Sequence, residues 1–329
     1  MILVLTTRYY EQGTAAVLDW LIANKSRFLV IHYEDLLSKK VSYEVDVINQ
    51  DVFVDGISIK EEISLIWYRR FYLAEKIFKD AAEGRIRNQL VFEAKSELET
   101  LVNYLRYFFK DKPQLPVKPT FGENKLIYLD FAQKAGLRCP QTIVTNSRKV
   151  LENFYYRNGE NIISKPLYFS MYYSKENISY SVQTTRYDKS MIDDLPSYFF
   201  PSLFQQSIES RYEIRVFFLN GKLYSTAAVY DGAGKNIDLK MNYKSPDLHW
   251  VVYCLPVEIE QKICSFMGMA KLNTGSLDLL KTDEGYYFLE VNPVGQYLAP
   301  SEYCNYYLEY EISQALVYEK KASKIQYSH

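Results

Sequence analysis

The chain has 329 residues, a formal net charge of −1 and four cysteines. Its length predicts two or three subdomains rather than a single core. Acidic and basic residues nearly balance, which excludes a broad electrostatic footprint for nucleic acid or an acidic membrane. The cysteines form no CxxC pair, which argues against a zinc site or a disulfide framework. We find no bilayer-spanning apolar run and no signal peptide, so we expect a globular protein of the reducing cytoplasm.

The first part of the chain alternates apolar strands with amphipathic helices. The strands are ILVLT, RFLVIHY and ISLIWYRR, a helix covers 14–23, a weaker hairpin surrounds Asp55 and Gly56, and a long amphipathic helix covers 88–110. This order predicts a small parallel sheet. Three prolines then predict a semi-rigid connector and a domain boundary near residue 115: Pro113, Pro116 and Pro119.

The rest of the chain reads as two further segments. The segment 116–203 contains a helix over 125–135, the strand QTIVT, a helix over 148–156 and the strand NIISKPL. The segment 204–329 begins with EIRVFFL and KLYSTAAVY around Asn220 and Gly221, which is a strong hairpin signal. A polar loop over 231–249, a helix over 258–270, a second hairpin and a final helix over 307–318 follow.

The second hairpin, SLDLLKTDEGYYFLEVNPVGQ, is the most informative stretch. If 283–285 form its loop, Thr282 pairs with Tyr286, Asp278 lies opposite Glu290, and Asn292 shares their face. Like charges across a strand pair are destabilising, so this arrangement favours a bound cation. Oxygen ligands suit Mg²⁺, which also takes substrate phosphates and thus points to a nucleoside triphosphate. The alternative is a solvated hairpin with two incidental acids.

Several phosphate-binding and catalytic devices are absent. There is no GxxxxGK[ST] and no HExxH, and the three histidines have no neighbouring nucleophile. Phosphate would then be held by cationic side chains, for which Lys125 and Lys165 stand in suitable apolar contexts. Lys165 could equally be a strand-end lysine in solvent.

The strand EIRVFFL carries charge at its middle. Alternation places Glu213 and Arg215 on one face, and the Asn-Gly turn pairs Arg215 with Thr226. An arginine fork suits a phosphate or a developing carboxyl phosphate, and Glu213 could hold a ribose. The alternative is a structural Glu-Arg ion pair. The preceding FQQSIE reads as a hinge whose backbone could bind an adenine edge.

The order of these features resembles the ATP-grasp superfamily, from about residue 121 onwards. It is most similar to the graspetide macrocyclases, which are microviridin-ligase-like peptide maturases, and among them to the grasp-with-spasm branch. The motifs that carry this closer resemblance are IWYRR (66–70), NKLIYLDFAQKAGL (124–137), PQTIVTN (140–146), FLEVNPVGQ (288–296) and CNYYLE (304–309).

The resemblance implies an α/β (α+β) ATP-grasp fold. Residues 1–115 would be a Rossmann-like pre-ATP-grasp domain, 116–203 a central α/β subdomain and 204–329 an antiparallel-sheet subdomain. It also implies an ATP-dependent ligase that activates Asp or Glu side chains of a ribosomally made precursor peptide as acyl phosphates. Thr, Ser or Lys side chains of that peptide would then close ester or amide rings. A SPASM-type companion protein and a homodimer are implied as well.

The resemblance assigns roles residue by residue. Lys125 and Lys165 would contact ATP phosphates, and Arg215 would stabilise the transferred phosphate. The remaining assignments are the hinge beginning at Gln205, with the backbone of Gln206 and Ile208 on the adenine; Glu213 on the ribose; Asp278, Glu290 and Asn292 on Mg²⁺, with Asp278 and Asn292 also facing ATP; and Asp238 and Lys240 on the peptide. Arg69 and Arg70 lie at the carboxyl end of a sheet strand, where open α/β sheets place ligands, so they are candidates for the peptide's carboxylates. The alternative is a surface pair of arginines.

Two departures from the family pattern stand out. Lys240 replaces the arginine of an Asp-x-Arg signature, and the loop after Lys165 has no glycine, so Ser170 or Ser174 would have to close over the phosphates. Two other functions are considered: a ligase that joins free amino acids or small acids, as glutamate ligases and glutathione synthetases do, and a non-catalytic nucleotide-binding scaffold. The scaffold requires lost catalytic residues, whereas the assigned residues are present.

Overall fold

The computed structural model describes residues 1–8, 11–37, 41–71, 84–118, 122–168, 172–175, 178–181, 184–230 and 248–326. Its helices are α1 (Gly13–Ala23), α2 (Tyr33–Leu37), α3 (Gly84–Phe108), α4 (Lys125–Lys134), α5 (Arg148–Arg157), α6 (Lys189–Asp193), α7 (Val257–Met269), α8 (Leu298–Cys304) and α9 (Leu308–Gln326). Its strands are β1 (Ile2–Thr6), β2 (Phe28–His32), β3 (Tyr43–Asp46), β4 (Asp51–Val54), β5 (Ile57–Ser58), β6 (Leu65–Tyr68), β7 (Gln114–Leu115), β8 (Thr142–Ser147), β9 (Ile162–Lys165), β10 (Tyr172–Lys175), β11 (Ile178–Ser181), β12 (Thr185–Tyr187), β13 (Tyr198–Gln206), β14 (Tyr212–Leu219), β15 (Lys222–Tyr230), β16 (Leu248–Val252), β17 (Thr274–Thr282) and β18 (Gly285–Asn292). The predicted mixture of helices and sheets is confirmed, and each predicted helix is present. The ends differ from the predicted ones by four residues or fewer, except that the last helix continues to Gln326 and not to residue 318.

The chain divides into two compact units. Unit 1 combines Met1–Lys118 with Val294–His329, and unit 2 is Pro119–Pro293. The C-terminal helices therefore group with the N-terminal part of the chain, which a linear division did not anticipate. The division into a pre-ATP-grasp domain (1–115) and two ATP-grasp subdomains (116–203 and 204–329) stays a prediction. In the described part of the chain, no helix combines the length and apolar character that crossing a membrane requires.

Unit 1 is built on a parallel sheet with the strand order β2-β1-β6-β7. All five residues of β1 are buried, as expected for a continuous apolar run in a parallel sheet that is covered on both faces. The predicted parallel sheet is confirmed, but the proline connector was incompletely predicted, since β7 lies within it. The hairpin at Asp55 and Gly56 is also confirmed, and both residues have positive φ angles of 51° and 74°.

Unit 2 contains two larger antiparallel sheets. The first has the order β12-β9-β13-β8, and α5 packs on one face of it around the buried Phe204. Residues 204–206 therefore end β13 of this sheet rather than opening a new segment. The second has the order β16-β15-β14-β17-β18 and carries α4 and α7 on one face. The predicted Asn220-Gly221 hairpin is confirmed, with φ angles of 47° and 89°.

Within unit 1, Arg69, directly after β6, binds the backbone at the start of the C-terminal segment 294–329. Its side chain is 6% exposed and donates from Nη1 to the carbonyls of Val294 (2.6 Å) and Gly295 (3.1 Å). Its Nη2 lies 3.1 Å from Oε1 of Glu11, whose side chain is 2% exposed. The guanidinium also lies 5.1 Å from the centre of the Tyr297 ring. Arg69 therefore holds a buried carboxylate and two carbonyls at once.

We expect Arg69→Met to lower the free energy of unfolding by about 3 kcal/mol, because it removes the cation from a buried carboxylate. Urea unfolding followed by circular dichroism measures this change. Arg70→Met is the matched control: its side chain is 31% exposed and lies 3.7 Å from Oε2 of Glu11, so its loss is expected at about 1 kcal/mol or less. Equal losses for the two variants would contradict the structural role of Arg69.

Candidate functional site

A row of polar and charged side chains crosses the second sheet of unit 2. Thr226, Arg215, Asp278 and Glu290 are direct neighbours on the successive strands β15, β14, β17 and β18. Both predicted cross-strand pairs are therefore confirmed: Arg215 with Thr226, and Asp278 with Glu290. Direct neighbours on paired strands share a face, so the four side chains leave the sheet on the same side.

The route to the Asp278-Glu290 pair differs from the predicted one. Thr282 pairs with Gly285, so the turn holds two residues, and the predicted pairing of Thr282 with Tyr286 was wrong by one position. A β-bulge between the Asp278 and Leu279 positions then inserts Leu289 as an extra residue on β18. A bulge shifts the register by one. The two one-residue shifts cancel, and Glu290 again lies opposite Asp278.

Arg215 and Asp278 form a two-pronged ion pair. Nε of Arg215 lies 2.8 Å from Oδ1 of Asp278, and Nη2 lies 3.0 Å from Oδ2. The side chains are 14% and 18% exposed, so solvent screens the pair only in part. Beneath it, the Thr226 hydroxyl donates to the backbone carbonyl of Arg215 at 3.3 Å. The partner of Arg215 was expected to be phosphate or Glu213; pairing with Asp278 was not predicted.

Lys125 pairs with the second carboxylate. It is the first residue of α4, whose N-cap Asn124 accepts hydrogen bonds from the N–H groups of Leu126 and Ile127. Its Nζ lies 3.4 Å from Oε2 of Glu290 and donates to the carbonyl of Pro166 at 3.2 Å. The contact with Pro166, in the loop after β9, had no signal in the sequence. Each carboxylate of the like-charged pair thus has its own cation.

The donor set beside this row suits a hard divalent ion. Asn292 lies two residues beyond Glu290 on the same face of β18 and pairs with Ser276. Among the described residues, no group of three or more His, Cys, Asp and Glu side chains could hold a metal ion alone. Two carboxylates and an amide are nevertheless the oxygen ligands that Mg²⁺ takes when phosphates and water complete its shell. The residues present therefore fit Mg²⁺ bound together with a phosphate ligand.

Lys165 and Glu213 lie within the strands that were predicted for them. Lys165 ends β9 opposite Leu203, and Glu213 lies in β14 opposite Leu280. Both side chains are partly buried. After Lys165, Ser174 lies in β10 of a short hairpin with β11, whereas Ser170 lies outside the described residues.

The hinge residues differ in what they offer a ligand. Gln205 is fully buried, and its Nε2 donates to the hydroxyl of Thr142 at 2.8 Å, while its Oε1 accepts no hydrogen bond from any described residue. The N–H of Gln206 donates to the carbonyl of Gln141 at 2.8 Å, so Gln206 could serve an adenine only through its carbonyl. Ile208 follows the end of β13 and is partly buried.

The predicted peptide-binding residues lie either in unit 1 or outside the described residues. Arg69 and Arg70 belong to unit 1, where Arg69 has the buried structural contacts described above, and these do not favour a role in binding a substrate carboxylate. Asp238 and Lys240 lie outside the described residues. All four assignments stay predictions.

Comparison with known proteins identifies the fold. No protein-family model and no curated protein matches the chain. Among solved structures, macrocyclase MdnC from Microcystis aeruginosa MRC, bound with precursor peptide MdnA, has a TM-score of 0.79 at 22% identity, over 97% of this chain and 100% of its own. A Chryseobacterium gregarium RiPP-associated ATP-grasp ligase, in complex with ADP and a leader and core peptide, has a TM-score of 0.79 at 20% identity, over 96% and 95%. The ATP-grasp ligase PsnB, complexed with a minimal precursor, Mg and ADP, has a TM-score of 0.77 at 16% identity, over 97% of each chain.

These identities are low, and the agreement over nearly the whole of each chain is one of fold. It confirms the fold that the order of Lys125, Lys165, Arg215, Asp278 and Glu290 had suggested. The chain has the fold of the ATP-grasp ligases.

Proposed function

We propose that this chain is an ATP-dependent ligase that macrocyclises a ribosomally made precursor peptide. The observation that carries the ATP-dependent ligase activity is the row of Arg215, Asp278, Glu290 and Lys125, which offers two carboxylates and two cations on one site of an ATP-grasp fold. The solved ligases of the same fold that are complexed with precursor peptides support a peptide substrate. A homodimer and a SPASM-type companion belong to the proposal on the sequence resemblance alone, and a cytoplasmic location belongs to it on the scattered cysteines.

In this proposal the two sheets of unit 2 share the binding of ATP. Lys125 and Lys165 hold its phosphates, the carbonyl of Gln206 and the N–H of Ile208 meet the adenine edge beside Gln205, and Glu213 binds the ribose. Asp278, Glu290 and Asn292 hold Mg²⁺. When bound, MgATP supplies the phosphoryl group that activates a carboxylate.

Ligand binding requires the ion pairs of the row to exchange partners. If Asp278 and Glu290 held Mg²⁺, Arg215 and Lys125 would lose their ion pairs and would need another anion. The triphosphate provides that anion. Conversely, triphosphate without the ion would attract both cations and leave two like-charged carboxylates opposite each other. The two ligands therefore favour each other's binding.

Arg215 acts where charge develops during the reaction. A carboxylate oxygen of an Asp or Glu side chain bonds to the terminal phosphorus as the bond to ADP breaks. A hydroxyl or amine of Thr, Ser or Lys then attacks the acyl carbon, loses its proton and releases phosphate, which leaves an ester or amide. The fork of Arg215, freed from Asp278, stabilises the transferred phosphate and the tetrahedral intermediate.

The alternative function is a ligase for free amino acids or small acids. It would use the same row in the same way, so the row does not distinguish the two functions. The non-catalytic scaffold is less favoured, because Lys125, Arg215, Asp278 and Glu290 are present and brought together. The peptide substrate is favoured by the agreement with peptide-bound ligases along nearly the whole chain.

The proposed function predicts that the chain removes one water from its peptide for each ring closed. Purified protein is incubated with ATP, Mg²⁺ and the Thr- and Asp- or Glu-containing peptide encoded beside it, and the peptide mass is followed. Ring formation is confirmed when the dehydrated peptide also resists labelling at its carboxylates. ATP consumption with free amino acids, and no mass loss from the peptide, would support the alternative instead.

The exchange of ion pairs predicts that Mg²⁺ tightens ADP binding about tenfold or more in the native chain. Isothermal titration calorimetry with and without Mg²⁺ measures the effect. Glu290→Gln is expected to abolish most of it, whereas Asp130→Asn should not, since Asp130 is an exposed carboxylate that forms an ion pair with Lys134 in its own helix. An unchanged Mg²⁺ effect in Glu290→Gln would contradict the proposed site.

Arg215→Lys is expected to lower kcat by about a hundredfold or more, because a lysine cannot reproduce the planar fork at the developing charge. The KM for ATP should change much less. Arg186→Lys is the matched control: it lies on β12 of unit 2 and its guanidinium donates to Asn161 at an exposed position. A similar loss of kcat in both variants, or a rise in KM with unchanged kcat, would contradict a role of Arg215 in the chemical step.

A further inference from the structure

Unit 1 contains a cavity of about 390 Å³ at the C-terminal end of α3. Four basic residues line it together with two amides: Arg106, Lys110, Lys112, Lys118, Asn103 and Gln114. Within the part of the chain that the structure describes, no carboxylate lines the cavity. Because the whole chain carries a net charge of only −1, this is a local concentration of positive charge.

The inner wall of the cavity is fixed by hydrogen bonds. Arg106 is 8% exposed; its Nε donates to Oε1 of Gln114 at 3.1 Å and its Nη2 to the carbonyl of Pro116 at 2.8 Å. In return, Nε2 of Gln114 donates to the carbonyl of Arg106 at 3.0 Å. The guanidinium also lies 4.9 Å from the ring centre of Tyr68. Burial lowers the pKa of Arg106, but arginine stays charged.

The outer wall is formed by longer, more exposed cations. Nζ of Lys110 lies 4.5 Å from the ring centre of Tyr107, and Nζ of Lys118 donates to Oδ1 of Asn103 at 2.5 Å. These contacts are with neutral groups, which leave the positive charge uncompensated. The cavity therefore presents one buried, oriented guanidinium and a rim of ammonium groups to an incoming anion.

The geometry favours separate carboxylates over a compact phosphate. Phosphate sites commonly use the N-terminus of a helix, where N–H groups point at the ligand. Here the neighbouring end of α3 is its C-terminus, which offers no helix N–H groups to an anion, so any anion would depend on the arginine and lysine side chains. Cations spread along a rim, beside the ring of Tyr107, instead suit singly charged side chains on a peptide.

We propose that this cavity binds the carboxylate side chains of an acidic peptide segment. The inference rests on the proposed function, because a precursor peptide that supplies Asp or Glu for ring closure brings such carboxylates. The volume suits a few side chains and not a folded domain. The cavity would add affinity for the substrate by a contact made entirely within unit 1.

The test uses a fluorescein-labelled hexaglutamate peptide and its hexaglutamine counterpart, with binding to the full chain followed by fluorescence anisotropy. The hexaglutamate peptide should bind and the hexaglutamine peptide should not. Lys110→Glu/Lys118→Glu should weaken the binding about tenfold or more. Lys25→Glu/Lys149→Glu is the matched control: it changes the net charge equally, and both lysines are exposed and outside the cavity.

The outcomes separate site binding from other causes. An equal loss in the control variant would overturn the proposal in favour of general attraction to the surface. Pyrophosphate that binds more tightly than hexaglutamate, with the same sensitivity to Lys110→Glu/Lys118→Glu, would replace it with a phosphate site. Lys110→Gln/Lys118→Gln, with thermal unfolding as a check, guards against misfolding and should give a smaller loss in the same direction.

A measurement of ADP binding distinguishes failure of this inference from failure of the proposed function. Lys110→Glu/Lys118→Glu is expected to bind ADP and Mg²⁺ as the native chain does. If the native chain binds hexaglutamate at the cavity but binds no ADP, the peptide site stands and the ligase proposal fails. If it binds ADP but not hexaglutamate, the peptide site fails and the ligase proposal stands.

Discussion

The like-charged pair Asp278 and Glu290 is the constraint on which the candidate site depends. The two carboxylates lie directly opposite each other on β17 and β18, an arrangement that destabilises a sheet unless a cation compensates it. Arg215 on β14 and Lys125 at the start of α4 provide that compensation without a ligand. A mid-strand arginine and a lysine at a helix start therefore have one common cause, which is the negative charge of the two opposed carboxylates.

The opposite face of the same sheet keeps this charge in register. Leu277, Leu279, Phe288 and Val291 alternate with the charged residues and are between 0% and 7% exposed, packed with α4 and α7. A one-residue slip of β18 would move Phe288 and Val291 out of the core and the carboxylate of Glu290 into it. Core packing thus fixes the backbone, while the long side chains of Arg215 and Lys125 remain free to change partners.

Strand pairings that follow from alternation and from turn residues could be predicted from the sequence. Features that depend on contacts between residues distant in the chain could not. The Asn220-Gly221 turn fixes β14 against β15, so the Arg215-Thr226 pair followed from counting. The bulge at Leu289 did not, because it depends on how Leu279 and Phe288 fit the core, which local periodicity does not contain. Arg69 was assigned to a substrate because of its strand-end position; its partners Val294 and Gly295 are remote in sequence and left no local signal.

The two cationic regions differ in a way that follows from their surroundings. In unit 2 each cation of the row already holds a carboxylate, so an arriving anion exchanges one ion pair for another and gains only the difference. In unit 1, Lys118 and Lys110 at the cavity contact an amide and an aromatic ring, so an anion that binds these two lysines breaks no described ion pair. The lysines at the rim are also more exposed, and salt screens exposed charges most strongly. Affinity at the cavity should therefore fall steeply with ionic strength, whereas the partly buried row depends chiefly on the ion and the nucleotide arriving together.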